Sequence, residues 1–272
     1  MDAMTSSLSP QPHAIRLGSG TPIVFVHGNG VDHRIMLELD DAFAAAEQWE
    51  RIYLDLPGFG GTPTLDAPGG LPEVADWLNH GVGELIGDKP FAVVGASLGA
   101  LLARDLVARR IDQCVGFALL APVVDSVRAN RTVPPASVLV TDPELLASLD
   151  SQDAADYAEL AVIQSQENWE RFNRALIPGI RAADPRAMDQ LAANYALPAL
   201  PDDALAGFPR PVLIATGKQD HVVGFEDQWA LAQRLPRATF AMIDAAGHNL
   251  HIDQPDAVRE LLRQWAATLP RA

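Results

Sequence analysis

Short runs of consecutive apolar residues alternate along most of the chain with longer segments in which apolar positions recur every three or four residues. The first pattern predicts strands buried on both faces, and the second predicts amphipathic helices. Strands are expected at Pro22–Val26, Trp49–Asp55, Pro90–Gly95, Val115–Leu120, Pro211–Thr216 and Ala238–Ile243. Helices are expected at Glu73–Ile86, Leu98–Arg110, Asp227–Arg234 and Pro255–Thr268. The first dozen residues are polar and proline-bearing and are expected to be loose. Between Pro122 and Ala206 the strand pattern disappears. Asp142 followed by Pro143 marks one helix start there, and Asp153–Gln164, Glu167–Ala183 and Pro185–Ala196 carry helical spacing. Alternating strand and helix signals imply an α/β fold, a mainly parallel sheet with helices on both faces. Its core is expected from residues 1–121 and 207–272, with a helical insertion at 122–206.

Composition narrows the function. The chain has 272 residues, 48% hydrophobic and 20% charged, which is the balance of a folded protein rather than a disordered one. Its formal net charge is −15. That excess disfavours nucleic acid and anionic membrane surfaces as partners, since both are recognised by clustered Lys and Arg. No apolar run reaches the length of a membrane-spanning helix. Met1–Ser9 lacks a basic segment followed by an apolar one, so it does not read as a signal peptide. A cytoplasmic location is the resulting expectation. The single cysteine, Cys114, has no partner within the chain and adjoins an apolar run, which predicts a buried structural thiol. The oligomeric state leaves no mark in the sequence.

The chemistry concentrates at the ends of predicted strands. Gly95-Ala96-Ser97-Leu98-Gly99 lies between a strand and a helix, the setting of a sharp turn that exposes a serine hydroxyl. A serine needs a base, and His248 follows the last strand. The histidine needs a carboxylate to fix its tautomer, and Asp220 follows the strand ending at Thr216. Asp125, after the fourth strand, is the runner-up acid, and Asp244 lies close to its own strand end. His251, one helical turn beyond His248, reads as local support. His27, His33, His80 and His221 are the remaining histidine candidates in this reading. Acyl transfer also needs donors for an oxyanion. His27-Gly28-Asn29-Gly30 directly follows the first buried strand, and the backbone N–H groups of Asn29 and Leu98 are assigned that role. The glycine spacing after this strand matches neither a dinucleotide-binding nor a Walker pattern, and no metal-ligand spacing occurs, so no cofactor and no metal are expected.

Taken in order, Phe25-Val26-His27-Gly28-Asn29-Gly30, Asp55-Leu56-Pro57-Gly58-Phe59-Gly60, Gly95-Ala96-Ser97-Leu98-Gly99, Gly217-Lys218-Gln219-Asp220 and Gly247-His248 resemble the alpha/beta-hydrolase fold superfamily over nearly the whole chain. The resemblance implies Ser97 as nucleophile, Asp220 as acid and His248 as base. It implies a structural role for Asp55–Gly60 and a cap or lid for the insertion. Haloalkane dehalogenases and epoxide hydrolases of this fold carry aspartate where this chain has Ser97. The function expected is therefore a serine hydrolase that cleaves a small ester or related acyl compound through an acyl-enzyme. C–C bond hydrolysis of a meta-cleavage-type diketone, and a ligand receptor built on a hydrolase pocket, are the alternatives. Trp169, Phe172 and Val222 are expected to contact the substrate, with Tyr195, Val223 and Phe225 as further aromatic or apolar candidates.

Overall fold

A computed structural model describes residues 10–46 and 48–270; the expectations for Met1–Ser9 lie outside the described residues. The first half of the core runs β1 (Ala14–Gly18), β2 (Thr21–Val26), α1 (His33–Leu37), β3 (Trp49–Leu54), α2 (Leu71–Ile86), β4 (Phe91–Ala96), α3 (Leu98–Arg109) and β5 (Cys114–Leu120). Six helices follow, α4 (Pro143–Ser148), α5 (Ser151–Leu160), α6 (Gln166–Ala175), α7 (Ile177–Ala182), α8 (Pro185–Ala193) and α9 (Asp202–Leu205). The core resumes with β6 (Val212–Gly217), α10 (Glu226–Gln233), β7 (Ala238–Ile243), α11 (Leu250–Asp253) and α12 (Pro255–Thr268).

The seven strands form one sheet in the order β1-β3-β2-β4-β5-β6-β7. All pairings are parallel except that of β1 with β3. Every residue of β4 and β6 is buried, which accounts for their almost wholly apolar sequences. The edge strands β1 and β7 mix exposed and half-buried positions. β7 is still marked by its apolar residues, whereas β1 is five residues long with Arg16 at its centre and gives no strand pattern. From β2 the chain steps to β3 on one side and then returns to β4 on the other. That reversal leaves a crevice beyond the carboxyl ends of β2 and β4, the place where open α/β sheets bind ligands.

The helical insertion departs from its expected boundaries for local reasons. The segment expected as one helix over Glu167–Ala183 is two, because Pro178 lacks an N–H and its ring blocks the preceding turn. α5 begins early because Asp150 caps it, accepting the Gln152 N–H at 2.9 Å. It ends at Leu160, where the chain becomes extended and Val140 bridges Ile163 in a parallel pairing. A single bridge of that kind carries no strand signal. Asp142 caps α4 through the Leu145 N–H, as Pro143 at the first position suggested. Cys114 is buried, and burial pushes its thiol up to about 12, in keeping with a structural residue.

The insertion is fastened to the core by Arg104 of α3, which is fully buried. Its guanidinium pairs with Asp202 at the start of α9. It also donates to the Val123 carbonyl at 2.6 Å and the Val124 carbonyl at 3.2 Å, just beyond β5. One side chain thus holds both ends of the excursion. Arg104→Ala strands a carboxylate and two carbonyls and opens a cavity. We expect it to cost at least about 3 kcal/mol, roughly 6–12 °C in Tm, measured by thermal unfolding.

Candidate active site

Ser97 stands at the turn between β4 and α3 with φ 54° and ψ −118°, a left-handed conformation that side chains rarely adopt. Neighbouring backbone imposes it. The Ser97 N–H donates to the Leu120 carbonyl at 2.9 Å, and the Ser97 carbonyl accepts the Val123 N–H at 3.1 Å. The flanking glycines are needed for close approach. A Cβ at Gly95 would overlap the Gly99 carbonyl, and one at Gly99 would overlap the Val26 and His27 carbonyls.

His27 orders the neighbouring loop. It is fully buried, and burial lowers its pKa, so it is a neutral imidazole. Its Nε2 accepts the Leu56 N–H at 2.9 Å, which leaves the proton on Nδ1 to be donated to the Gly28 carbonyl at 2.7 Å. In a trans peptide the N–H points opposite to the carbonyl. The Asn29 N–H is therefore turned away from His27. Among the described residues no protein acceptor takes the Asn29 or Leu98 N–H. The Leu98 N–H belongs to the first turn of α3, where donors lack intrahelical partners.

His248 lies with Nε2 2.9 Å from Ser97 Oγ and Nδ1 3.0 Å from Asp220 Oδ2. Asp220 is fully buried, and its other oxygen accepts the Val222 and Val223 N–H groups at 2.9 and 3.0 Å. Gly217 makes this convergence possible, since any Cβ there would overlap the Ala246 and Gly247 carbonyls. The result is one continuous hydrogen-bonded chain from carboxylate to imidazole to hydroxyl. That chemistry lets the imidazole take the hydroxyl proton while the carboxylate supports the imidazolium.

The other candidates sit elsewhere. Asp125 accepts the Val127 N–H and the Asn130 amide in an exposed turn. Asp244 is exposed, and its bond from Gln219, with Lys218 nearby, lowers its pKa. His251 is buried beside His248, and burial pushes it down to about 4. His80 lies 3.4 Å from Glu84 on an exposed helix face. His221 lies in the turn directly after Asp220 and makes no bond to Ser97 or His248. His33 joins His13 on Asp55, Nδ1 to carboxylate oxygen at 2.8 and 2.7 Å. These three are the group among the described residues whose donor atoms converge as metal ligands do. Asp55 also accepts the His33 and Gly61 N–H groups. Burial opposes its ionisation, but these bonds outweigh that and hold its carboxyl far below the usual range. The carboxylate is filled by four donors and ties three chain segments together.

Ser97 and His248 open into a cavity of about 640 Å³. Its wall includes Val31, Leu120, Leu160, Leu176, Ile180 and Met188. Trp169, Phe172 and Val222 do not line it, which corrects the expectation for all three. Trp169 and Phe172 face Tyr157 instead, with ring centroids 5.2 and 5.1 Å away, in the packing between α5 and α6. Val222 is held by its N–H in the turn that wraps Asp220. Tyr195, Val223 and Phe225 are not on the wall either. Met188 and Ile180 on short helices, and Leu176 at the junction of α6 and α7, escape the sequence pattern, because apolar positions there carry no mark of whether they meet the core or a cavity.

Comparison with known proteins bears on the fold and the family. Over 259 residues, spanning 95% of each chain, the sequence is 24% identical to (E)-2-((N-methylformamido)methylene)succinate hydrolase of Acinetobacter baylyi. It is 27% identical over 254 residues to the biotin biosynthesis bifunctional protein BioHC of Cellvibrio japonicus, covering 92% of this chain and 48% of that one. The crystal structure of an alpha/beta superfamily hydrolase from Oenococcus oeni superposes with a TM-score of 0.87 at 27% identity, covering 95% of this chain and 96% of that one. An esterase from Thermogutta terrifontis shares the fold at a TM-score of 0.74 and 20% identity, covering 97% and 96%. Among the described residues no helix is long and apolar enough to cross a membrane. Residues 23–261 match the model of the alpha/beta hydrolase family, and the chain belongs to that family.

Proposed function

We propose that this protein is a serine hydrolase that cleaves a small ester or related acyl compound through an acyl-enzyme. The observation that carries the proposal is the hydrogen-bonded chain Asp220–His248–Ser97 opening into a largely apolar cavity. In this reading His248 takes the Ser97 proton as the hydroxyl attacks the carbonyl. The Asn29 and Leu98 N–H groups receive the oxyanion. His248 then protonates the leaving group and activates water against the acyl-enzyme. The segment 122–206 acts as a cap, since α5, α7 and α8 supply Leu160, Ile180 and Met188 to the cavity wall.

The lining also favours an uncharged acyl group. Glu159 and Asp189 are the charged residues on the wall, both exposed, and among the described residues no Lys or Arg lines it. Neighbouring cations are engaged elsewhere, Arg181 with Asp153 and Arg186 with Asp184. A carboxylate in the acyl chain would meet like charge and no donor cation. The succinate in the name of the Acinetobacter relative's substrate is accordingly not carried over to this chain.

Purified protein is expected to turn over p-nitrophenyl butyrate, with Ser97→Ala losing at least about 10³-fold in kcat. Turnover that survives in Ser97→Ala overturns the mechanism. His27→Ala is expected to lower kcat about tenfold or more, because the Gly28 carbonyl loses the donor that orients the Asn29 peptide. An unchanged kcat removes His27 from that role. The monoanionic p-nitrophenyl succinate is expected to show kcat/KM about tenfold below the butyrate at low salt, the gap narrowing as salt is raised. Equal values discard the charge argument.

A further inference from the structure

The loop that carries His248 is tied to the helical insertion through a buried carboxylate. Asp253 Oδ2 accepts the N–H of Gly247, the residue before His248, at 2.8 Å. Its Oδ1 accepts Asn168 Nδ2 of α6 at 3.0 Å. The same amide nitrogen lies 3.4 Å from the Ile252 carbonyl, which also accepts Arg171 Nε at 2.9 Å. Asn168 Oδ1 lies 3.1 Å from the hydroxyl of Tyr157 on α5. Asp253, Asn168 and Tyr157 are all buried. Packing reinforces the tie. A Cβ on Gly247 would come within 2.7 Å of Val162 Cγ2 and 3.3 Å of the Leu160 carbonyl, so the segment after α5 rests directly on this loop.

Such an arrangement is costly as a means of stability alone. Burial pushes the Asp253 carboxyl up to about 6, a desolvation cost that its bonds from Gly247 and Asn168 oppose. What the polar pair adds is direction. One carboxylate fixes both the Gly247 peptide and the face of α6, so neither can shift without unseating the other.

We propose that Asp253 and Asn168 are positioning residues that couple the seating of α6 to the placement of His248. The imidazole reaches Ser97 only while the insertion is docked. The inference rests on His248 acting as the base. Neither Asp253 nor Asn168 lines the cavity, so neither touches substrate there, and their effect on His248 is read in kcat.

The test is a swap. Asn168→Ala and Asp253→Asn are each expected to lower kcat for p-nitrophenyl butyrate about tenfold, with KM within twofold of the parent. In Asn168→Asp combined with Asp253→Asn, the amide at 253 donates to the carboxylate at 168 while its oxygen still accepts the Gly247 N–H. This double variant is expected to recover most of the lost kcat. Hydrogen exchange over residues 245–249 is expected to quicken in Asn168→Ala and to return toward the parent rate in the double variant. An unchanged kcat in the single variants, a change confined to KM, or a double variant no better than the worse single overturns the proposal. Should the parent show no Ser97-dependent turnover, the assignment of His248 falls. Exchange then decides the coupling alone, and unaltered exchange over 245–249 in Asn168→Ala overturns it.

Discussion

The site depends on one strained residue, Ser97, held at φ 54°. Strain of this kind persists only where the surroundings leave no alternative. Here the Leu120 carbonyl and the Val123 N–H grip the Ser97 backbone from β5 and its exit, while Gly95 and Gly99 let α3 start hard against β2 and β4. Relaxing the turn would break both bonds and drive α3 off the sheet. The hydroxyl is thereby fixed before any ligand arrives, and the first N–H groups of α3 are fixed with it.

The sheet does the rest of the assembly. Because strand order reverses at β2, the loop after it faces the turn after β4 across an open crevice. His27 uses both ring nitrogens to lock that loop, one as acceptor from Leu56 and one as donor to Gly28. Burial keeps the ring neutral, and the neutral ring is the form that can do both. On the other side, Gly217 permits β6 to approach the loop after β7, so that Asp220 and His248 meet. Three glycine contacts and one neutral histidine therefore set distances that the side chains themselves do not control.

These features explain what could be read from residues alone. The central strands appear as unbroken apolar runs because both faces are covered, and their ends are marked by the glycine motifs. Ser97, Asp220 and His248 each follow such an end, so their convergence was legible from order alone. The edge strand β1 was not, because five residues with Arg16 at the centre and Gly18 at the end resemble loop sequence. Nor was α11, a single turn between His248 and Pro255. The cavity wall was least legible. Trp169 and Phe172 drew attention as aromatic residues on a helix, but they face Tyr157 and hold α6 to α5. Which residues of a short helix meet open space depends on how neighbouring helices seat, and periodicity carries no information on that.

The insertion's attachment to the core is of two physical kinds. Arg104 ties its two ends to α3 with charge and backbone carbonyls. Asp253 meets it at α6, next to the residues that face the cavity and one peptide away from His248. The ends are thus held to α3, and the middle is held to the His248 loop by a polar latch. The latch is a carboxylate whose ionised form burial disfavours, so it is held by its partners and weakened when they leave. That makes α6 the part of the insertion whose seating bears on His248.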